Sequence, residues 1–346
     1  MSWFDEARLD DEAALAGADV RLRALAESGA RVRRDADSAA AASLAAQGEE
    51  NFRPRAVLAA GPDSRLLRAV LEPWCPVPFV AWPNPGLPGW VGSLDLVIIL
   101  APEGSDAAAA SAVAESVRRG AQVVVACPER SVVAEHAQGR HVTLLPTVTG
   151  DQLAAAVVML EFLERVHLGP SADPEGVAAA LDAVATSCSP HRDLAVNPAK
   201  ALAIALADSS PLLWGDSVLA ARAARRVAES VRRTTGRSAL AADAEHLLPV
   251  IEGARARDVF ADPFADPFSD AESDTDLRPA LVLFDDGSQD PVSRESRGRL
   301  LAAARERGVR VETITASTGD EIARYASLLL EGTYVAQYLG LGLRTD

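Results

Sequence analysis

LDLVIILAPEGSDAAAASAVAESVRRGAQVVVACP, residues 94–128, decides the fold of this chain. Leu94-Asp95-Leu96-Val97-Ile98-Ile99-Leu100 is a short apolar run rich in β-branched residues, the pattern of a strand buried on both faces. Ala101-Pro102-Glu103-Gly104-Ser105-Asp106 breaks it, with Pro and Gly as punctuation and Ser105 or Asp106 as a helix N-cap. Ala107 to Arg119 reads as an alanine-rich helix, with Arg118 and Arg119 suiting its negative end and Gly120 stopping it. Ala121 to Cys127 is a second buried strand. Strand, crossover helix and parallel strand form one βαβ unit. The turn Pro102–Asp106 then lies at a strand's carboxyl end and a helix's amino end, where open α/β sheets bind anionic ligands.

The same alternation extends in both directions. Residues 3–48 predict one or two alanine-rich helices, broken at Gly17 and Gly29. Arg55–Ala60 predicts a strand ended by Gly61-Pro62-Asp63-Ser64, and Arg65–Val70 a helix start. Val77–Trp82 carries Pro78 and predicts an edge strand. His141–Pro146 adds one more strand, so residues 50–150 form a small doubly wound subdomain. Gly150–Val166 and Pro174–Ala185 predict connecting helices over 151–196, after N-terminal helices over 1–49.

Residues 197–346 repeat the plan: Asn197-Pro198-Ala199-Lys200 opens a helix, and Pro211–Gly215 is a strand with Asp216-Ser217 as turn and cap. A basic helix over Val218–Thr234, strands over Ala280–Phe284 and Val309–Ala316, and helices over Ser293–Arg307 and Glu321–Gly340 follow. Two similar α/β halves suggest an internal duplication. Within the second, residues 258–278 hold an acidic loop with a tandem Ala-Asp-Pro-Phe repeat. Its charges repel and its prolines block regular structure, which predicts a mobile surface segment. A docking motif anchored by its two Phe residues is the rival reading.

Composition excludes several classes. The 346 residues are 49% hydrophobic but only 5% aromatic, so the core must be built from Ala, Val and Leu. A net charge of -15 argues against a nucleic-acid partner, because neutralising phosphates needs an excess of Lys and Arg. Cys75, Cys127 and Cys188 show neither pairing nor metal spacing, and His136, His141, His167 and His191 are isolated. No metal and no cofactor is therefore expected. No apolar run has the length of a membrane span, the amino terminus is acidic, and the expected location is cytoplasmic.

Asn197-Pro198-Ala199-Lys200, Pro211–Gly215, Ile251-Glu252-Gly253 and the tail Ser327–Gly340 carry, in that order, a resemblance to a known family. The chain resembles the sugar-isomerase (SIS) fold, and within it the bifunctional phosphoglucose/phosphomannose isomerases of bacteria and archaea. The resemblance implies an α/β protein of two SIS-like doubly wound parallel-sheet (αβα) subdomains, over 50–150 and 197–346, forming a homodimer that takes a hexose phosphate. The family's Gly-Gly-Ser turn matches Gly61-Pro62-Asp63-Ser64, and its Ser-Tyr-Ser-Gly-Asn-Thr phosphate loop matches Leu100-Ala101-Pro102-Glu103-Gly104-Ser105. Only Gly104 and Ser105 keep that chemistry, Pro102 removes an N–H donor, and Asp63 and Glu103 set carboxylates where a phosphate would sit.

The resemblance gives the family's catalytic Glu the stretch Val231-Arg232-Arg233 and its ring-opening His the position of Leu248, with Glu245-His246 the nearest acid–imidazole pair. Its Lys-bearing last helix has no counterpart before Asp346. The ligand residues expected are Gly61, Ser64, Gly104, Ser105 and Ser217, against the plainer reading of each Ser as a helix cap. Glu245 and His246 would be catalytic only in an active enzyme; otherwise they begin a surface helix. Lys200 reads as a helix-surface residue and Arg222, Arg225, Arg226, Arg232 and Arg233 as an ion-paired face. Three functions stay open: a catalytically degenerate sugar-phosphate binder with a regulatory or scaffold role, an aldose–ketose isomerase with a rebuilt site, and a partner-binding module.

Overall fold

A computed structural model of the chain describes residues 3–45, 53–62, 64–254 and 277–343, so Asp63 and nearly all of the predicted acidic loop lie outside the described residues. The chain divides into two compact units. One comprises residues 27–182 and 318–323, and the other residues 1–26, 183–317 and 324–346.

Two helices open the chain, α1 (Glu12–Ala26) and α2 (Ser28–Ala45), and they change over at Glu27 rather than at a glycine. Gly17 and Gly29 lie inside them, which corrects the sequence reading. Gly29 is required by packing: a Cβ there would sit 2.6 Å from the Ala178 carbonyl oxygen and 2.2 Å from an Asp182 oxygen. A helix approached that closely by its neighbour has room only for hydrogen.

In the unit around residues 27–182, α2 is followed by β1 (Val57–Ala60), α3 (Ser64–Leu71), β2 (Phe79–Trp82), β3 (Leu96–Leu100) and α4 (Ala107–Arg118). Then come β4 (Gln122–Cys127), α5 (Val132–His136), β5 (Val142–Pro146), α6 (Gln152–Arg165) and α7 (Pro174–Ser187). The five strands form one parallel sheet in the order β2-β1-β3-β4-β5. β2, which Pro78 immediately precedes, is at one edge, and β5, which ends on Pro146, is at the other. All of β3 is buried, and Val97 and Ile99 stack with Val123 and Val125 against Ala109, Ala112 and Val113 of α4. Burying each Val or Ile contributes about 1.5–3 kcal/mol, and the alanines let α4 lie close on the sheet. Asp35 of α2, fully buried, accepts from Val148 N–H, Thr149 N–H and the Thr149 hydroxyl at 2.8–3.0 Å, fastening α2 to the end of β5.

The other unit runs α8 (Pro198–Ala205), β6 (Ser209–Gly215), α9 (Val218–Thr235), β7 (Leu240–Ala241) and α10 (Ala244–Glu252). It continues with β8 (Arg278–Asp285), α11 (Pro291–Arg307), β9 (Arg310–Thr315) and α12 (Glu321–Gly342). Its sheet is parallel throughout, in the order β7-β6-β8-β9. Gly215 is needed where α9 doubles back on β6, since a Cβ would meet the Ala221 nitrogen at 2.1 Å. Lys200 is not a surface residue. It is fully buried, and its ammonium donates to Asp10 Oδ1 at 2.6 Å and to the Pro190 and Arg192 carbonyls at 2.8 and 3.0 Å. Three oxygens around one ammonium satisfy all its donors, which is what a buried charge needs. The fold is α/β, with two doubly wound parallel sheets.

Candidate functional site

Strand order reverses at one point in each sheet, between β1 and β3 and between β6 and β8. Such switch points, at the carboxyl ends of the strands, are where open α/β sheets carry ligand crevices.

At the first crevice the turn after β1 is open. Gly61 has φ +91, and among the described residues nothing lies within 4 Å of where its Cβ would be. Its N–H donates to the Trp82 carbonyl, and its own carbonyl accepts from Ser64 N–H at 3.1 Å. Ser64 begins α3, is 1% exposed, and its hydroxyl has no hydrogen-bond partner among the described residues. A buried hydroxyl without a partner costs on the order of 1–3 kcal/mol and is commonly explained by a ligand or water.

The turn after β3 is closed on itself. Gly104 has φ +69, its N–H bonds the Ala101 carbonyl and its carbonyl accepts from Val133 N–H at 3.1 Å. A Cβ there would lie 2.3 Å from the Ser131 Cβ, because the turn packs on the one after β4. Asp106 is the N-cap of α4, accepting from Ala109 N–H at 2.6 Å, and this leaves the exposed Ser105 free of that duty. The Glu103 side of the turn is exposed to solvent.

The second crevice is crowded with carboxylates. Ser217 caps α9, accepting from Ala220 N–H at 3.0 Å, and its hydroxyl donates to the Asp286 carboxylate. Asp216 and Asp286 are buried beside it, and Asp285 is held at 2.8 Å by the Arg297 guanidinium. Burial, reinforced by the Asp286 and Asp285 charges, pushes the Asp216 carboxyl up to about 7. Burial resists ionisation of Asp285 too, but Arg297 and the Gly287 N–H outweigh it and hold that carboxyl below its usual range. Among the described residues no group of His, Cys, Asp and Glu is arranged to hold a metal ion.

Glu245 and His246 lie on the exposed face of α10, in the unit of the four-stranded sheet, while Leu248 is buried in its core. Gly61, Ser64, Gly104 and Ser105 belong to the other unit. Arg232, where the resemblance sets the family's base, donates to the Ala239 carbonyl at 2.7 Å and braces the end of α9. The basic face of α9 is partly ion-paired, through Arg225–Asp243 at 3.4 Å and Arg226–Glu229 at 2.8 Å.

Sequence reasoning missed three features. The Asp216–Asp285–Asp286 cluster joins positions 70 residues apart, with only Asp285-Asp286-Gly287 after an apolar strand as its signal. Glu331, inside the apolar α12, is pushed up to about 7 by burial. A cavity of 690 Å³ opens beside α1, lined by Asp10, Glu12, Arg23, Pro190 and Arg192 among others, and Lys200 fixes three of these walls.

The chain shares its fold with the tagatose-6-phosphate ketose/aldose isomerase of Escherichia coli, at a TM-score of 0.66 and 14% identity, over 92% of this chain and 93% of that one. It shares it also with the C-terminal domain of the glucosamine-fructose-6-phosphate aminotransferase of Francisella tularensis, at a TM-score of 0.58 and 10% identity, over 91% and 96%. Residues 195–346 match the family described as the bacterial phospho-glucose isomerase C-terminal SIS domain. No curated protein sequence matches the chain.

Proposed function

We propose that this protein binds a hexose phosphate weakly at the crevice between β1 and β3 and does not isomerise it, acting as a regulator or scaffold in sugar-phosphate metabolism. The observation that carries the reading is the Ser64 hydroxyl, buried without a partner among the described residues at the start of α3, beside the Gly61 turn. A phosphate oxygen there would accept from that hydroxyl and from main-chain N–H groups at the helix start. Ser105, exposed and relieved of capping by Asp106, adds a second hydroxyl to the same switch point. Gly104 serves to shape the turn, and Ser217 is left out because its hydroxyl is spent on a carboxylate.

Lack of turnover rests on the residues available for proton transfer. Moving a proton between C1 and C2 requires a positioned base, worth about a hundred- to ten-thousandfold. Arg232 stays protonated and cannot accept a proton, Leu248 carries no imidazole, and Glu245 and His246 face solvent from a helix surface. A coupled assay for conversion of glucose or mannose 6-phosphate to fructose 6-phosphate should therefore read at background. Robust turnover that Glu245→Gln abolishes would replace this reading with that of an isomerase whose site is rebuilt around Glu245 and His246.

A further inference from the structure

The cavity beside α1 shares no residue with either crevice. It encloses about 690 Å³ between one face of α1, with Glu12, Leu15, Asp19 and Arg23, and the segment 190–193. Both walls belong to the unit of the four-stranded sheet. Small-molecule sites generally measure about 300–1,000 Å³ and combine apolar lining with a few placed polar groups. Here the apolar part comes from buried Leu22, half-buried Leu15 and Pro190.

The 190–193 wall is held from behind by buried side chains. The Tyr338 hydroxyl donates to the Cys188 carbonyl at 2.6 Å and the Asn197 amide to the Ser189 carbonyl at 2.9 Å. The Lys200 ammonium donates to the Pro190 and Arg192 carbonyls at 2.8 and 3.0 Å, and to Asp10 Oδ1 at 2.6 Å just ahead of α1. One buried cation therefore ties the two walls together. Water would satisfy the carbonyls of an exposed segment without ordering it, and ordering costs conformational entropy. What the bracing secures is the position of His191 and Arg192, which line the cavity, and a preformed wall lowers the cost of binding.

Most charges around the cavity are already answered. Asp10 pairs with Lys200, Asp19 with Arg23 at 2.8 Å, and Asp193 accepts from Ala195 N–H at 2.8 Å. Glu12 and Arg192 line the same cavity, yet neither has an ionic partner among the described residues. Arg192 donates its Nε–H to the Val196 carbonyl at 3.3 Å, which leaves its terminal N–H groups for a ligand. A simple anion would meet Asp10, Glu12, Asp19 and Asp193, and a simple cation would meet Arg23 and Arg192, so the lining favours a molecule carrying both signs. We propose that this cavity binds a free α-amino acid with a large apolar side chain. The carboxylate pairs with the Arg192 fork beside His191, the ammonium pairs with Glu12, and the side chain lies against Leu15, Leu22 and Pro190. The site stands apart from the hexose-phosphate reading.

Calorimetric titration of the full chain with L-phenylalanine and L-leucine tests the site, and both should bind saturably below about 10 mM. Hydrocinnamate, which lacks the ammonium, and phenethylamine, which lacks the carboxylate, should each bind at least about tenfold more weakly than L-phenylalanine. Glycine, which lacks the apolar side chain, should also bind at least about tenfold more weakly. Glu12→Gln and Arg192→Met each remove one charge at an exposed position, and each should weaken L-phenylalanine binding at least about tenfold with the melting temperature of the free chain unchanged. The analogues are titrated into the unaltered protein, so they decide the outcome even where a substituted chain fails to fold. Absence of saturable binding by either amino acid, equal binding of the analogues that lack one charge, or binding that either substitution leaves intact would overturn the proposal.

Discussion

The two switch points have the same topology and opposite chemistry. After β1 the chain offers a left-handed glycine and a buried hydroxyl, the first with no atom against its Cβ position and the second with no hydrogen-bond partner among the described residues. After β6 and β8 the same geometry is filled with three carboxyls, of which Asp285 is paired with a guanidinium, Asp286 with a hydroxyl and Asp216 with a main-chain N–H. An anion could enter the first and would be repelled from the second. Topology supplies two candidate crevices, and local charge decides which of them can take a phosphate.

The comparison breaks most sharply at the glycines of the first crevice. Gly104→Ala combines a left-handed φ of +69 with a Cβ 2.3 Å from Ser131. It should cost on the order of 3 kcal/mol or more in denaturant unfolding, because the turn after β4 would have to move. Gly61→Ala, at φ +91 but in open space, should cost only about 1 kcal/mol, the backbone term alone. Equal losses would mean that the two turns are equally packed.

A smaller effect separates the units by pH. Both carboxyls pushed up to about 7 among the described residues, Asp216 and Glu331, lie in the unit of the four-stranded sheet. For Glu331 the unfolded chain gives up its proton near 4.5 and the fold keeps it to about 7. Its contribution is therefore complete below about 4.5 and is lost as pH rises to about 7. Glu331→Gln should raise stability at pH 8 relative to the wild type by on the order of 2 kcal/mol and match it near pH 4. A constant difference across that range would show that burial of Glu331 is not what moves its proton.

The strands were readable because their apolar, β-branched runs are bounded by Gly, Pro and Asp, and this signal is local. The helix caps Asp106, Asn197 and Ser217 were readable for the same reason. Lys200 was misread because its partners, Asp10, Pro190 and Arg192, come from other segments, and a sequence shows a lysine's charge without showing what surrounds it. β7 escaped notice since two residues carry no periodicity. The carboxyl cluster escaped because its members meet only through sheet pairing of β6 with β8.

Smaller still is the expected effect of Ser64→Ala. Removing a buried hydroxyl that lacks a partner should leave stability unchanged or raise it by up to about 1 kcal/mol, read as the denaturation midpoint. A loss would mean that the hydroxyl is already satisfied in the folded chain. At the other unit, Glu245→Gln and His246→Ala, on an exposed helix face, should leave the midpoint where it is.

Calorimetric titration of glucose 6-phosphate and fructose 6-phosphate into the wild type, Ser64→Ala and Ser217→Ala tests the central claim most directly. The account predicts weak binding by the wild type, binding lost or at least about tenfold weaker in Ser64→Ala, and binding unchanged in Ser217→Ala. Binding that survives Ser64→Ala, or that falls with Ser217→Ala, would contradict it.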